Sequence, residues 1–107
     1  MRESTIEALL VRSVHQAGGR CYKWVSPGNS GVPDRIVFLP GGKVIFVELK
    51  TETGRTSALQ DWQIGTLRGL GQAVRVLHGR HEVELFIQRE VMRCSTRPTT
   101  TRRSQRK

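Results

Sequence analysis

The sequence predicts an α/β domain in the order α-β-β-β-α-β-α, a mixed sheet with helices laid against it. Three observations carry this. Ile6, Leu9, Leu10, Val14 and Ala17 recur at helical spacing near the start of the chain. Two apolar runs, "RIVFL" and "KVIFVEL", flank Pro40-Gly41-Gly42, as the arms of a hairpin flank its turn. A helical stretch from Thr56 to Gly71 then separates the hairpin from one more short apolar run, Val74 to Leu77, so the last strand returns by a crossover.

Each element has its own warrant. Ser4-Thr5-Ile6-Glu7 has the form of a capping box, which starts the first helix near Ser4, and Gly18-Gly19 ends it. Cys21 to Val25 reads as a short strand with Lys23 in its middle, and "SPGNSG" (26–31) as an irregular loop. In the hairpin, Pro40 pre-sets the first turn torsion and the last Gly tolerates a left-handed backbone, giving a three-residue loop. Thr56 or Ser57 caps the second helix, which is expected to turn Leu59, Trp62, Leu67 and Leu70 inward and to stop at Gly71. A last helix is expected from about His81 to Ile87, with Val83, Phe86 and Ile87 inward.

At 107 residues the chain supports one domain, predicted to span residues 1–92, with a basic tail over 93–107. The net charge is +9 and unevenly placed. Six of the 18 Lys and Arg lie between Arg93 and Lys107, where there is no acid, leaving twelve basic and nine acidic residues before them. A Thr/Arg/Ser-rich tail of this kind is expected to be disordered and to favour phosphate partners. Two cysteines, Cys21 and Cys94, one in a strand and one in the tail, argue against a structural disulfide and for a reducing compartment. No apolar run reaches membrane-spanning length and "MRESTIE" is no secretory signal, so the expected location is cytoplasmic.

The chemistry concentrates at one end of the hairpin. Strand side chains alternate, so Asp34, Ile36 and Phe38 share a face, as do Val44, Phe46, Glu48 and Lys50. With a three-residue loop Leu39 faces Lys43, and counting back sets Asp34 opposite Glu48, with Lys50 one step beyond. Opposed carboxylates repel. An ion pair with Lys50 or Arg35 would relieve the repulsion. So would a divalent cation such as Mg²⁺, which takes one or two carboxylates and keeps several waters. Such an ion can polarise a phosphate and lower the pKa of a bound water, with Lys50 placed to orient that water or neutralise developing charge.

Pro33-Asp34 followed by Glu48-Leu49-Lys50, at the arms of one hairpin, resembles the signature of the PD-(D/E)xK nuclease superfamily. The fuller run "SPGNSGVPDRIVFLPGGKVIFVELKTETGRTSALQ" is similar to the VRR-NUC (virus-type replication-repair nuclease) family, especially its small stand-alone phage and bacterial members. The resemblance covers about residues 3–87 and implies a restriction-endonuclease-like core. It also implies a Mg²⁺- or Mn²⁺-dependent endonuclease that leaves a 5′-phosphate. Asp34 and Glu48 would be the metal carboxylates, the Leu49 backbone carbonyl a further ligand, Lys50 the catalytic lysine and Gln60 the helix glutamine that arranges the site. A first-helix glutamate completes the family's site; Glu7 is the choice and Glu3, one turn away, the alternative. A homodimer and branched DNA such as a four-way junction follow from the stand-alone type, in the cytoplasm of a bacterial or phage-infected cell.

Lys23, Arg35 and Arg55 are candidate phosphate contacts, although Arg35 points away from Asp34 in a regular strand and Lys23 could merely guard a sheet edge. His78 and His81 lack partner cysteines at zinc-binding spacing. Trp62 is expected in the core rather than as a base-stacking platform. The rival readings are a non-catalytic basic DNA-binding module, in which Asp34, Glu48 and Lys50 are only an ion-pair cluster, and a nuclease subunit that needs a partner.

Overall fold

The computed structural model describes residues 2–95. A four-stranded sheet runs in the order β1 (Arg20–Lys23), β2 (Arg35–Leu39), β3 (Lys43–Lys50) and β4 (Ala73–His78). β1–β2 and β2–β3 are antiparallel, while β3–β4 is parallel, as the crossover through α2 (Ala58–Gly69) requires. The hairpin therefore forms the centre of the sheet. Its register is the one expected: Leu39 pairs with Lys43 and Arg35 with Val47. The loop closes through Gly42 N–H donating to Leu39 O at 3.3 Å, with φ of +89° and +86° at Gly41 and Gly42, which side-chain-bearing residues rarely adopt.

One sheet face builds the core. Val37 and Leu39 from β2 and Ile45, Val47 and Leu49 from β3 pack against Ile6, Leu10 and Val14 of α1 (Glu3–Gln16) and Val83 and Phe86 of α3 (Gly79–Phe86). α2 lies on the opposite face, because its Gln60 reaches Glu48, which points away from Val47 and Leu49. Ile64 of α2 and Val74 of β4 are buried there.

Four expectations require correction. α1 begins at Glu3 with Arg2 as its N-cap and no side-chain cap, since the Arg2 carbonyl accepts from Thr5 and Ile6 N–H; this places Ser4 inside the first turn and frees Glu7 from a capping box. β1 ends at Lys23, which is exposed at the strand's end rather than in its middle. The second helix turns a different stripe inward: Leu59 and Trp62 are exposed, at 48% and 63%, and Leu70 at 72%. The last helix is longer than expected, running from Gly79 to Phe86, through a π-helical turn (Ile87–Val91) and on as α4 (Met92–Ser95). Ile87 and Val91, at the two ends of that turn, are both in the core. Most of the basic tail falls outside the described residues. Among the described residues no helix is long and apolar enough to cross a membrane.

Candidate active site

The site forms where β2 begins and β3 ends. Pro33 is buried and fixes the chain as it enters β2. The Asp34 carbonyl accepts from Trp24 N–H at 2.9 Å, and its carboxylate Oδ2 accepts from Leu49 N–H at 2.9 Å. Asp34 is thereby pinned to both neighbouring strands, and its carboxylate lies beside the Glu48-Leu49 segment.

Glu48 is only 1% exposed, the sole buried charged residue among those described. Its Oε2 accepts from Gln60 Nε2 at 3.0 Å and lies 3.3 Å from Lys50 Nζ. Its Oε1 is buried with no hydrogen-bond partner. Burial raises the pKa of this carboxyl, and the Asp34 charge raises it further; Lys50 opposes the shift, and the Glu3 charge adds to it. An unpartnered carboxylate oxygen in a dry site normally costs free energy and calls for an ion or water. Among the described residues no three His, Cys, Asp or Glu side chains form a cage. Two carboxylates with one bare oxygen suit a hydrated divalent cation better than a fully protein-enclosed one.

Gln60 is held in turn by the start of α2. Ser57 is the N-cap: its Oγ accepts from Gln60 N–H at 3.1 Å, and its own N–H donates to Gln60 Oε1 at 2.9 Å. Asp34, Glu48, Lys50 and Gln60 therefore converge.

Glu7 does not join them. Its Oε2 accepts from Arg35 Nε at 2.7 Å, and the same guanidinium donates to the Cys21 carbonyl at 3.2 Å. Arg35 and Glu7 hold α1 against β1 and β2, and both line a groove of about 510 Å³ along α1 whose lining includes neither Asp34 nor Glu48. Glu3, the alternative, is the α1 glutamate whose charge acts on Glu48. Lys23 and Arg55 are exposed. The loop at 26–31 is clasped to α2, with Gln63 Nε2 donating to the Ser30 carbonyl at 3.1 Å.

Two features escaped the sequence reading. One is Glu52, whose side chain lies against Gly79, where a Cβ would come within 2.6–2.8 Å of it. The other is the inward stripe of α2. A helix that aims Gln60 at Glu48 must also aim Ile64 at the sheet, four residues on, beside Leu67, which was already expected inward. The position of Gln60 was the available signal.

The family model for the VRR-NUC domain matches residues 2–81. A protein of Acyrthosiphon pisum secondary endosymbiont phage 1, carried under the name of a candidate nuclease, p44, is 48% identical over 77 residues, covering 72% of this chain and 83% of its own. A solved VRR-NUC domain superposes with a TM-score of 0.78 at 28% identity, over 82% of this chain and 96% of its own. A second VRR-NUC domain protein, at 15% identity, shares the fold with a TM-score of 0.67 over 88% of this chain and 90% of its own.

Proposed function

The chain belongs to the VRR-NUC domain family, and from that premise we propose that it is a divalent-metal-dependent DNA endonuclease. The observation that carries the reading is the buried Glu48 carboxylate with its bare Oε1, set beside Asp34 and Lys50. The Lys50–Glu48 contact alone would equally suit a plain ion-pair cluster. That alternative gives no reason for leaving a buried carboxylate oxygen unpartnered.

Asp34 and Glu48, with the Leu49 carbonyl, would hold Mg²⁺ or Mn²⁺, which when bound polarises a phosphodiester and makes water a competent nucleophile near neutral pH. The chain's own residues do the rest. The Leu49 amide fixes the Asp34 carboxylate, and Gln60 fixes Glu48. Lys50 sets a positive charge where negative charge gathers on the phosphate as the bond breaks, leaving a 5′-phosphate. Glu3 rather than Glu7 is the α1 glutamate for this site, since Glu7 is committed to Arg35. Lys23 and Arg55 are the phosphate contacts; Arg35 is drawn back into its own ion pair. A domain this small has little surface with which to read bases, so the +9 charge of the whole chain favours backbone and shape over sequence. A homodimer with two cutting centres on a branched substrate such as a four-way junction follows from the small stand-alone family type.

The test incubates end-labelled linear, flap and four-way DNA with the purified chain and Mg²⁺, Mn²⁺ or chelator. Cleavage that needs the ion and vanishes in Glu48→Ala, while DNA binding persists, is the expected result. A wild-type chain that binds but never cuts any of the three returns the protein to the DNA-binding-module reading.

A further inference from the structure

Glu48 has two oxygens in different conditions. Oε2 receives Gln60 and Lys50, while Oε1 is buried and bare. The asymmetry traces to the N-terminus of α2. A glutamine amide has a donor end and an acceptor end, and only the donor end is compatible with a carboxylate. In "SALQ" the acceptor end of Gln60 is already taken, because Oε1 accepts from Ser57 N–H at 2.9 Å. The NH₂ end is then the one that faces Glu48. Ser57 Oγ, accepting from Gln60 N–H at 3.1 Å, locks the backbone that makes this possible.

We infer that Ser57 is a positioning residue: its capping box selects the amide orientation of Gln60, which ties down one oxygen of Glu48 and reserves the other for a cation. This rests on the metal-binding reading above but adds a residue to it. Ser57 is exposed and touches neither carboxylate, so it acts only through Gln60. Partners that orient a ligand from behind commonly affect metal affinity even though they never meet the ion.

The experiment uses the full chain and two readouts. One is the side-chain NH₂ resonance pair of Gln60 in the metal-free protein, by ¹⁵N NMR. The other is Mn²⁺ affinity by calorimetry without nucleic acid. In the wild type the Gln60 pair is shifted from the free-amide position and exchanges slowly. Ser57→Ala returns it toward that position and weakens Mn²⁺ binding by roughly tenfold. Ser57→Thr, which keeps a capping hydroxyl, restores both. Ile64→Val, which loosens α2 without touching the box, lowers the melting temperature and moves neither readout. The inference is overturned if Ser57→Ala merely melts earlier, with the Gln60 pair and the affinity as in the wild type, or if Ile64→Val changes them equally. A wild type that takes up no Mn²⁺ while its Gln60 pair still responds to Ser57 sinks the metal reading and upholds the link from Ser57 through Gln60.

Discussion

Glu48 places a carboxylate where the fold offers almost no water, and under the proposed function this sets opposing demands on stability and activity. Its pKa is raised by burial and by Asp34, so the folded state holds its proton to higher pH than the unfolded chain does. Stability from this group is therefore complete below the ordinary glutamate range and is lost as pH rises through the raised folded value. Glu48→Gln removes that loss. Without divalent ion, the variant should match the wild type in acid and melt above it by roughly 2–5 °C near neutral pH; with the ion present it should cut no DNA. Equal melting temperatures across the pH range, by calorimetry, would show that Glu48 carries no such burden. The meeting of Asp34, Glu48 and Lys50 was legible before any coordinates because a three-residue loop fixes the register of the hairpin, whereas Gln60, on α2, came only from the family resemblance. The pairing of Glu7 was not legible, since it depends on where α1 docks and not on spacing within it.

Two elements are held by contacts made across the chain. Arg75 of β4 donates to both oxygens of Glu90 in the π-helical turn, at 2.8 and 3.0 Å, and Lys43 lies 3.5 Å from the same carboxylate. Burial pushes the Glu90 carboxyl up, but the hydrogen bonds and charge of Arg75, aided by Lys43, leave it below the ordinary range. Its contribution is present above that range and fades as pH falls through the lowered value. Because the groups are partly exposed, Glu90→Gln should lower the neutral-pH melting temperature by only about 2–4 °C, a gap that closes in acid. A gap that widened in acid would reverse the sign. Gly79 opens α3 at φ +76° with Glu52 against it. Gly79→Ala should destabilise by about 1–2 kcal/mol, measured by urea unfolding, and an unchanged midpoint would remove the constraint.

The same scale shows where sequence reading succeeds and fails. The α1 stripe was readable because the core takes Ile6, Leu10 and Val14 at strict helical spacing. The α2 stripe was misread because Leu59 and Trp62 are larger and more apolar than Gln60, and composition outweighed geometry. The π-helical turn has no signature in residue type, and nothing in the spacing of Ile87 and Val91, which would share a face in an α-helix too, calls for it.

Across the whole molecule, the proposed ion binding would be linked to folding. A cation that binds only the folded chain adds RT ln(1 + [L]/Kd), so 10 mM Mg²⁺ should raise the melting temperature of the wild type and leave Glu48→Ala unmoved. Identical shifts in both would place the ion elsewhere. The two indoles provide a way to follow this. Trp24 lies 5.2 Å from Phe46, two residues before Glu48, and its amide is bonded to Asp34, whereas Trp62 is largely open to solvent. The chain thus carries its own pair of lamps: an outer one that a soluble quencher such as iodide can darken, and an inner one at the Asp34–Glu48 end of the hairpin, whose remaining glow reports on that end without any attached dye.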